Sequence, residues 1–256
     1  MTLSLGLGTR KYGPFLLSLV VLAAIWEIVG RTANILTLPP LSSVLVAFGK
    51  LWSSGAVTAP LFDSTMALLT GLAISLTLGS AIGIGMGMSR VIDVAIGPYV
   101  KAGLSAPLIA FVPVFLMIFG IGSETRIATV VAFSIFIVAT NAATAMRTID
   151  DRLLEMGRSF GASRWAIFRD IRLPAGAPYF VAGLRLGVAR GVKGLINGEV
   201  LIAIIGLGGL VKKYGTVFSM DQLYAVILLI VLYASVAVGG VTLLSNLLVK
   251  DKANTA

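Results

Sequence analysis

The chain contains no cysteine and no histidine. Without cysteine there are no disulfides and no thiolate metal sites. Without histidine there is no imidazole general base and no His-ligated metal, which removes much of enzymology at once. Charge is scarce too: 12% of the 256 residues are Asp, Glu, Lys or Arg, whereas an ordinary soluble domain carries about a quarter. With 57% hydrophobic residues and a mean hydropathy of +1.00, polar groups cannot cover the surface, so the expected solvent is lipid. The net charge of +9 does not point to nucleic acid, because no aromatic-interleaved basic patch accompanies it and cytoplasmic loops of membrane proteins collect Lys and Arg anyway.

What is present is a series of long apolar runs, read here as one transmembrane domain over residues 1–256 with about six spanning helices. Pro14 to Gly30 is a first span of about minimum length. It reads as an uncleaved anchor rather than a signal peptide, because Glu27 interrupts it and no clean A-x-A site follows. Pro39-Pro40 forbids a helix through that point, and the apolar spacing after Ser42 (Val44, Leu45, Phe48, Leu51, Trp52) fits a short amphipathic helix. The second span, Ser64 to Met88, places Ser75, Gly79, Gly83 and Gly87 four residues apart, a stripe of small residues that lets another helix approach closely. Its overlapping `GIGMG` follows no strand and opens no polar helix, so it is not a dinucleotide loop. Arg90 and Asp93 form a polar turn. The third span, Pro98 to Ile121, contains Pro98, Pro107 and Pro113 and is expected to be kinked. A fourth runs from Thr125 to Met146, a fifth from Pro178 to Ile205, and a sixth from Leu223 to Val249, with `GLGGLVKKYGTVFSMDQ` as a Gly-rich connection between the last two.

Six spans put both termini on one side. With the termini inside, the inner segments hold Arg10, Lys11, Arg90, Arg147, Arg152, Arg158, Arg164, Arg169, Arg172, Lys250 and Lys252, and the outer ones Arg31, Lys50, Arg126, Lys212 and Lys213. Eleven against five orients the termini and the long 147–174 loop toward the cytoplasm.

That loop holds ten of the 31 charged side chains. Asp150 or Asp151 can cap a first helix with Leu153, Leu154 and Phe160 near one face. Gly161 sits where a helix ends in a left-handed residue. Ser163 can cap a second helix carrying Trp165, Phe168 and Ile171 on one face, and Pro174 is expected to end it. A helix–turn–helix exposing apolar and basic side chains together suits either anionic lipid headgroups or a protein partner.

Glu155-Met156-Gly157, three residues, Gly161, nine residues, then Ile171-x-Leu173-Pro174 resembles the EAA motif of ABC-transporter permeases, E-A-A-x3-G-x9-I-x-L-P. Met156 and Gly157 depart from its alanines, and the spacing is complete. The segment `DDRLLEMGRSFGASRWAIFRDIRLPAGAPYFVAGLRLG`, Trp26-Glu27, `LPPLSSVLVAF` and `GLGGL` are similar to the nitrate/sulfonate/taurine branch of binding-protein-dependent importers. The resemblance covers nearly the whole chain. It implies an all-α integral membrane protein with the type I importer (MetI-like) permease fold in the bacterial inner membrane. It also implies a second permease copy, a homodimer being expected, two separate ATPase subunits and an extracytoplasmic binding protein. The loop becomes the coupling element, with Glu155, Gly157, Gly161, Ala162, Ile171, Leu173 and Pro174 as its joint to the ATPase. No G-x-x-x-x-G-K-[ST] occurs, so ATP is expected on the partner; the resemblance further implies that this chain needs no cofactor, does no bond chemistry and is a transport subunit rather than an enzyme. The implied cargo is a small anion such as a sulfonate, taurine or nitrate, with a pyrimidine or other aromatic compound as the alternative. A membrane enzyme is disfavoured by the missing His and Cys, and a stand-alone secondary transporter by the lack of visible inverted repeats.

The fifth span carries charges that need a reason. Arg190, Lys193 and Asn197 recur at i, i+3 and i+7 on one helical face, and Glu199 points roughly the other way. Cations at mid-membrane cost about 2.5 kcal/mol or more and should face a bundle interior or water. Either they, with Glu199, line a translocation pathway, or they form salt bridges with Glu199, Glu27 or a second copy. Arg185, nearer the cytoplasmic end, can snorkel.

Overall fold

The computed structural model describes residues 6–33, 35–202 and 206–253, with side chains described from 13 to 243. Every regular element among them is helical: α1 (Gly6–Thr32), α2 (Leu41–Ser53), α3 (Thr58–Met88), α4 (Arg90–Ser105), a 3₁₀ turn (Leu108–Phe111), α5 (Val112–Phe119), α6 (Ser123–Arg147), α7 (Asp151–Ser159), α8 (Arg164–Ala166), a π-helical stretch (Ile167–Arg172), α9 (Leu173–Ile202), α10 (Gly206–Thr216) and α11 (Met220–Ala253). Four helices are long and apolar enough to cross a membrane, and six spans result when each bent pair counts as one. The expected end of the fifth span at Ile205 lies outside the described residues, as do the side chains of Arg10, Lys11, Lys250 and Lys252.

The core is α6 held between α3 and α9. Both neighbours turn glycines toward it. A Cβ at Gly79 would approach Ile135 O at 2.9 Å, and one at Gly83 would overlap Ala139 O. From the other side, Gly176 faces Ala145, Gly187 faces Val138 and Gly194 faces Phe133. The small-residue stripe of the second span is therefore a packing face, and its backbone approach supplies dispersion contacts that replace the missing hydrophobic drive in lipid. Ser75, on the same stripe, is fully buried and donates its hydroxyl to Gly71 O at 2.7 Å.

Four local expectations are corrected. The third span is not one kinked helix: α4 and the segment Leu108–Phe119 meet at 96°. Ala106, just before Pro107, is extended (φ −67°, ψ 143°), as steric conflict with the proline ring dictates. Pro98 is tolerated inside α4, and Pro113 sits in the first turn of α5, where its missing donor costs nothing. Arg90 and Asp93 do not form a turn but begin α4. The turn is Ser89 alone, extended and accepting from Ile92 N at 3.4 Å. The Gly-rich connection forms the helix α10, with Leu207 fully buried. The short helix after Ser42 exists as α2, but it buries Val44, Ala47 and Leu51 and leaves Leu45 and Trp52 exposed.

α1 joins the bundle mainly through α2. The Glu27 carboxylate accepts from Ser42 N and Ser42 Oγ, both at 2.9 Å, and so caps the start of α2 from the neighbouring helix. Trp26 donates from Nε1 to Pro39 O at 3.1 Å. The Trp26-Glu27 pair is thus a clamp on the Pro39-Pro40 corner.

Candidate functional site

Two places hold the predicted functional residues: the polar loop and a cavity on α9.

In the loop, Asp150 caps α7, its Oδ1 accepting from Arg152 N at 2.9 Å. α7 ends as expected at Gly161, whose φ of +76° only glycine adopts without steric cost. Ala162 N donates to Gly157 O at 3.0 Å and Gly161 N to Arg158 O at 2.9 Å, the two bonds of a Schellman cap. Ser163 Oγ then accepts from Ala166 N at 3.1 Å and starts the next helix. Gly157 is the point of closest approach, because a Cβ there would sit 2.7 Å from Ile171 Cδ1. Ile149, Leu154 and Ile167 form a small core that Ala162 and Ile171 complete. The sequence-predicted set Gly157, Gly161, Ala162 and Ile171 is therefore brought together, and Glu155 stands on the exposed side of α7.

Two expectations about this loop fail. Pro174 does not end the second helix: it lies in the first turn of α9, and Leu173 is 42% exposed beside it. The turn before it is π-helical, Ile167 to Arg172, and helix runs from Arg164 to Ile202. A π turn inserts one extra residue and so absorbs the proline's lost donor and ring without stopping the helix. Trp165 and Phe168 share a face as expected, their ring centroids 5.5 Å apart with Trp165 67% exposed, while Ile167 is the residue between Arg164 and Arg172 that is buried. Phe160, expected with Leu153 and Leu154, is 85% exposed. The loop thus displays Phe160, Trp165 and Met156 among the exposed cations Arg158, Arg164 and Arg169.

The second place is a cavity of about 400 Å³ beside the break between α4 and α5. Leu104, Ala106, Leu108, Ile109 and Phe133 wall it, and Arg190, Lys193 and Asn197 project into it from α9. The i, i+3, i+7 face is therefore real, and no carboxylate lines the cavity. Among the described residues neither cation has an ion-pair partner: Glu27 pairs with Arg31 and Glu199 with Arg126.

Glu199 does not line this cavity. It is fully buried near the C-terminal end of α9. Its Oε1 accepts from Ser64 Oγ at 2.7 Å and its Oε2 from Gly208 N at 3.0 Å, while Ser64 Oγ accepts from Leu207 N at 3.0 Å. Arg126 Nη1 lies 3.6 Å from Oε1. A carboxylate placed at the first amides of α10 satisfies donors that the helix itself cannot. Arg126, expected in an outer loop, is 6% exposed. Sequence reasoning missed Arg126 and Ser64 as partners. The only signal was a cation four residues into an apolar helix.

The chain matches the family described as "Binding-protein-dependent transport system inner membrane component" over residues 73–251. It is 26% identical over 230 residues to the formylaminopyrimidine transport permease protein ThiX of Halalkalibacterium halodurans, covering 90% of this chain and 92% of that one. It is 28% identical over 224 residues to the taurine transport system permease protein TauC of Escherichia coli, covering 85% and 82%. Its fold is shared with a chain of the inward-facing MetNI methionine ABC transporter, at 19% identity and a TM-score of 0.58 over 75% of this chain and 92% of that one.

Proposed function

Because the chain belongs to the family of binding-protein-dependent transport system inner membrane components and is the permease of an ABC importer, we propose that its α9 cavity passes a small organic or inorganic anion. The observation that carries this is the pairing of Arg190 and Lys193 with Asn197 around a cavity that no carboxylate lines. Two unneutralised cations favour an anionic cargo over a neutral one, since each would otherwise cost desolvation without return. Sulfonates and nitrate are of this kind, and taurine presents the same sulfonate group beside its ammonium. Similarity alone does not decide, because relatives of nearly equal identity are named for taurine and for a formylaminopyrimidine; the cavity's charge is what favours the anion.

In this reading the permease works as a homodimer in the inner membrane with cytoplasmic termini, an external binding protein delivers the cargo, and ATP is hydrolysed on two separate subunits. The 147–174 loop supplies the contact to them: Glu155, Gly157, Gly161, Ala162, Ile171, Leu173 and Pro174 set its shape, and the exposed apolar and basic side chains fill a groove on the ATPase. Aromatic and Arg side chains exposed together are the residues that dominate protein interfaces.

Uptake of radiolabelled taurine and of an alkanesulfonate by the complete transporter, with Arg190→Gln and Lys193→Gln variants, tests the cargo reading. Each neutralisation is expected to lower anion uptake at least tenfold while leaving expression and assembly intact. Unchanged uptake with lost stability would show that the two cations serve only packing.

A further inference from the structure

α6 carries one arginine at each end, and each reaches across to a different neighbour. At the outer end Arg126 meets Glu199, with both side chains nearly inaccessible. At the inner end Arg147, the last residue of the helix before the loop, places Nη2 2.6 Å from Asp93 Oδ1 and 3.0 Å from Met86 O. The two contacts differ in how readily they can open. The outer carboxylate has its hydrogen bonds from Ser64 and Gly208 and no access to water, so separating its charges would leave both buried. The inner pair is 46% and 33% exposed, so water can replace either partner.

Asp93 sits in the first turn of α4, the helix that leads to the break at Ala106-Pro107 and hence to the cavity wall. α4 is otherwise lightly held: only Gly97 and Val100 are buried along its length. On the other side, Arg147 is two residues from Ile149, which belongs to the core of the loop. Arg172, from the far arm of the same loop, donates to Met146 O at 3.4 Å. The ion pair therefore joins the loop's root to the first turn of the broken span, just after the one-residue corner from α3.

We propose that Asp93 and Arg147 are a positioning pair that carries displacement of the cytoplasmic loop to the α4 break and so to the cavity, while Arg126–Glu199 holds the opposite end of α6 fixed as the pivot. The pair touches no cargo, and its role rests on the reading that a partner ATPase moves the loop.

The absence of native cysteine makes a direct test available. Ile109→Cys places a single thiol on the cavity wall at the break. Its modification rate by a water-soluble maleimide is measured in the reconstituted permease–ATPase complex, nucleotide-free and trapped with ATP and vanadate. The parent is expected to change rate severalfold between the two states. Asp93→Asn is expected to abolish that change with normal yield and assembly, and the exchange Asp93→Arg with Arg147→Asp to restore most of it. A full nucleotide response in Asp93→Asn, or an exchange variant no better than either single substitution, would overturn the proposal and leave the permease reading standing. No nucleotide response in the Ile109→Cys parent would overturn both.

Discussion

Arg126 and Arg147 show how little a residue type says about its energetic role. Both are arginines on α6, and both face a carboxylate. Removing the guanidinium of Arg126 leaves the fully buried Glu199 carboxylate without its cation. Arg126→Ala is therefore expected to destabilise the protein by about 3–5 kcal/mol, the range for breaking one half of a buried pair. Thermal unfolding in detergent should show it as a large drop in midpoint, and Glu199→Gln, whose NH2 replaces one of two accepting oxygens and leaves Arg126 without its anion, should be comparably destabilising. Asp93→Asn breaks a half-exposed pair and should cost no more than about 1 kcal/mol. If both substitutions shifted the midpoint equally, burial would not be what separates them.

At the scale of elements, the loop was the most readable part of the chain and the broken span the least. Asp150, Gly161 and Ser163 specify their caps through contacts within a few residues, so the helix–turn–helix follows from local chemistry. Gly161 has nothing within 4 Å of where a Cβ would stand, so its requirement is purely one of backbone conformation. Gly161→Asn, which tolerates the left-handed region, should keep coupled transport. Gly161→Val is expected to impose about 1–3 kcal/mol of strain and raise the ATP hydrolysed per molecule carried. Equal coupling in the two variants would show that the cap is dispensable. What the sequence could not disclose depends on tertiary context. A proline before which the chain must extend can yield a gentle kink or a right-angle corner, and the packing of α4 and α5 decides between them. The π turn leaves no compositional trace. The glycines of α10 suggest a loop until Glu199, on the preceding helix, supplies a cap for its first amides. The face of α9 was correct for Arg190, Lys193 and Asn197 and for Glu199 pointing away from them, because periodicity is local; the partners of Glu199, Arg126 and Ser64, were not legible because they lie far away in the chain.

For the whole molecule, the division of labour runs along the membrane normal. The loop end exposes aromatic and cationic side chains, the middle of α9 offers cations without an ion-pair partner among the described residues, and the opposite end is sealed by a hydrogen-bonded carboxylate. An aromatic side chain buries about 150–250 Å² when covered, and Phe160 and Trp165 are the two most exposed aromatic residues of the loop. The double substitution Phe160→Ser with Trp165→Ser should leave membrane insertion and detergent stability unchanged and abolish co-purification with the ATPase subunit. Retained co-purification would direct attention to the basic side chains and to lipid headgroups instead.

The π-helical stretch from Ile167 to Arg172 acts as an angular offset. One inserted residue rotates everything before it by about 100° relative to everything after. Trp165, proposed above to dock, lies upstream of that turn, and the cavity cations lie downstream on the same continuous helix. Six residues of backbone therefore set the compass bearing between the surface proposed to receive force and the surface proposed to meet cargo. Deleting Asp170 would spare every side chain named above and still leave the two facing the wrong way.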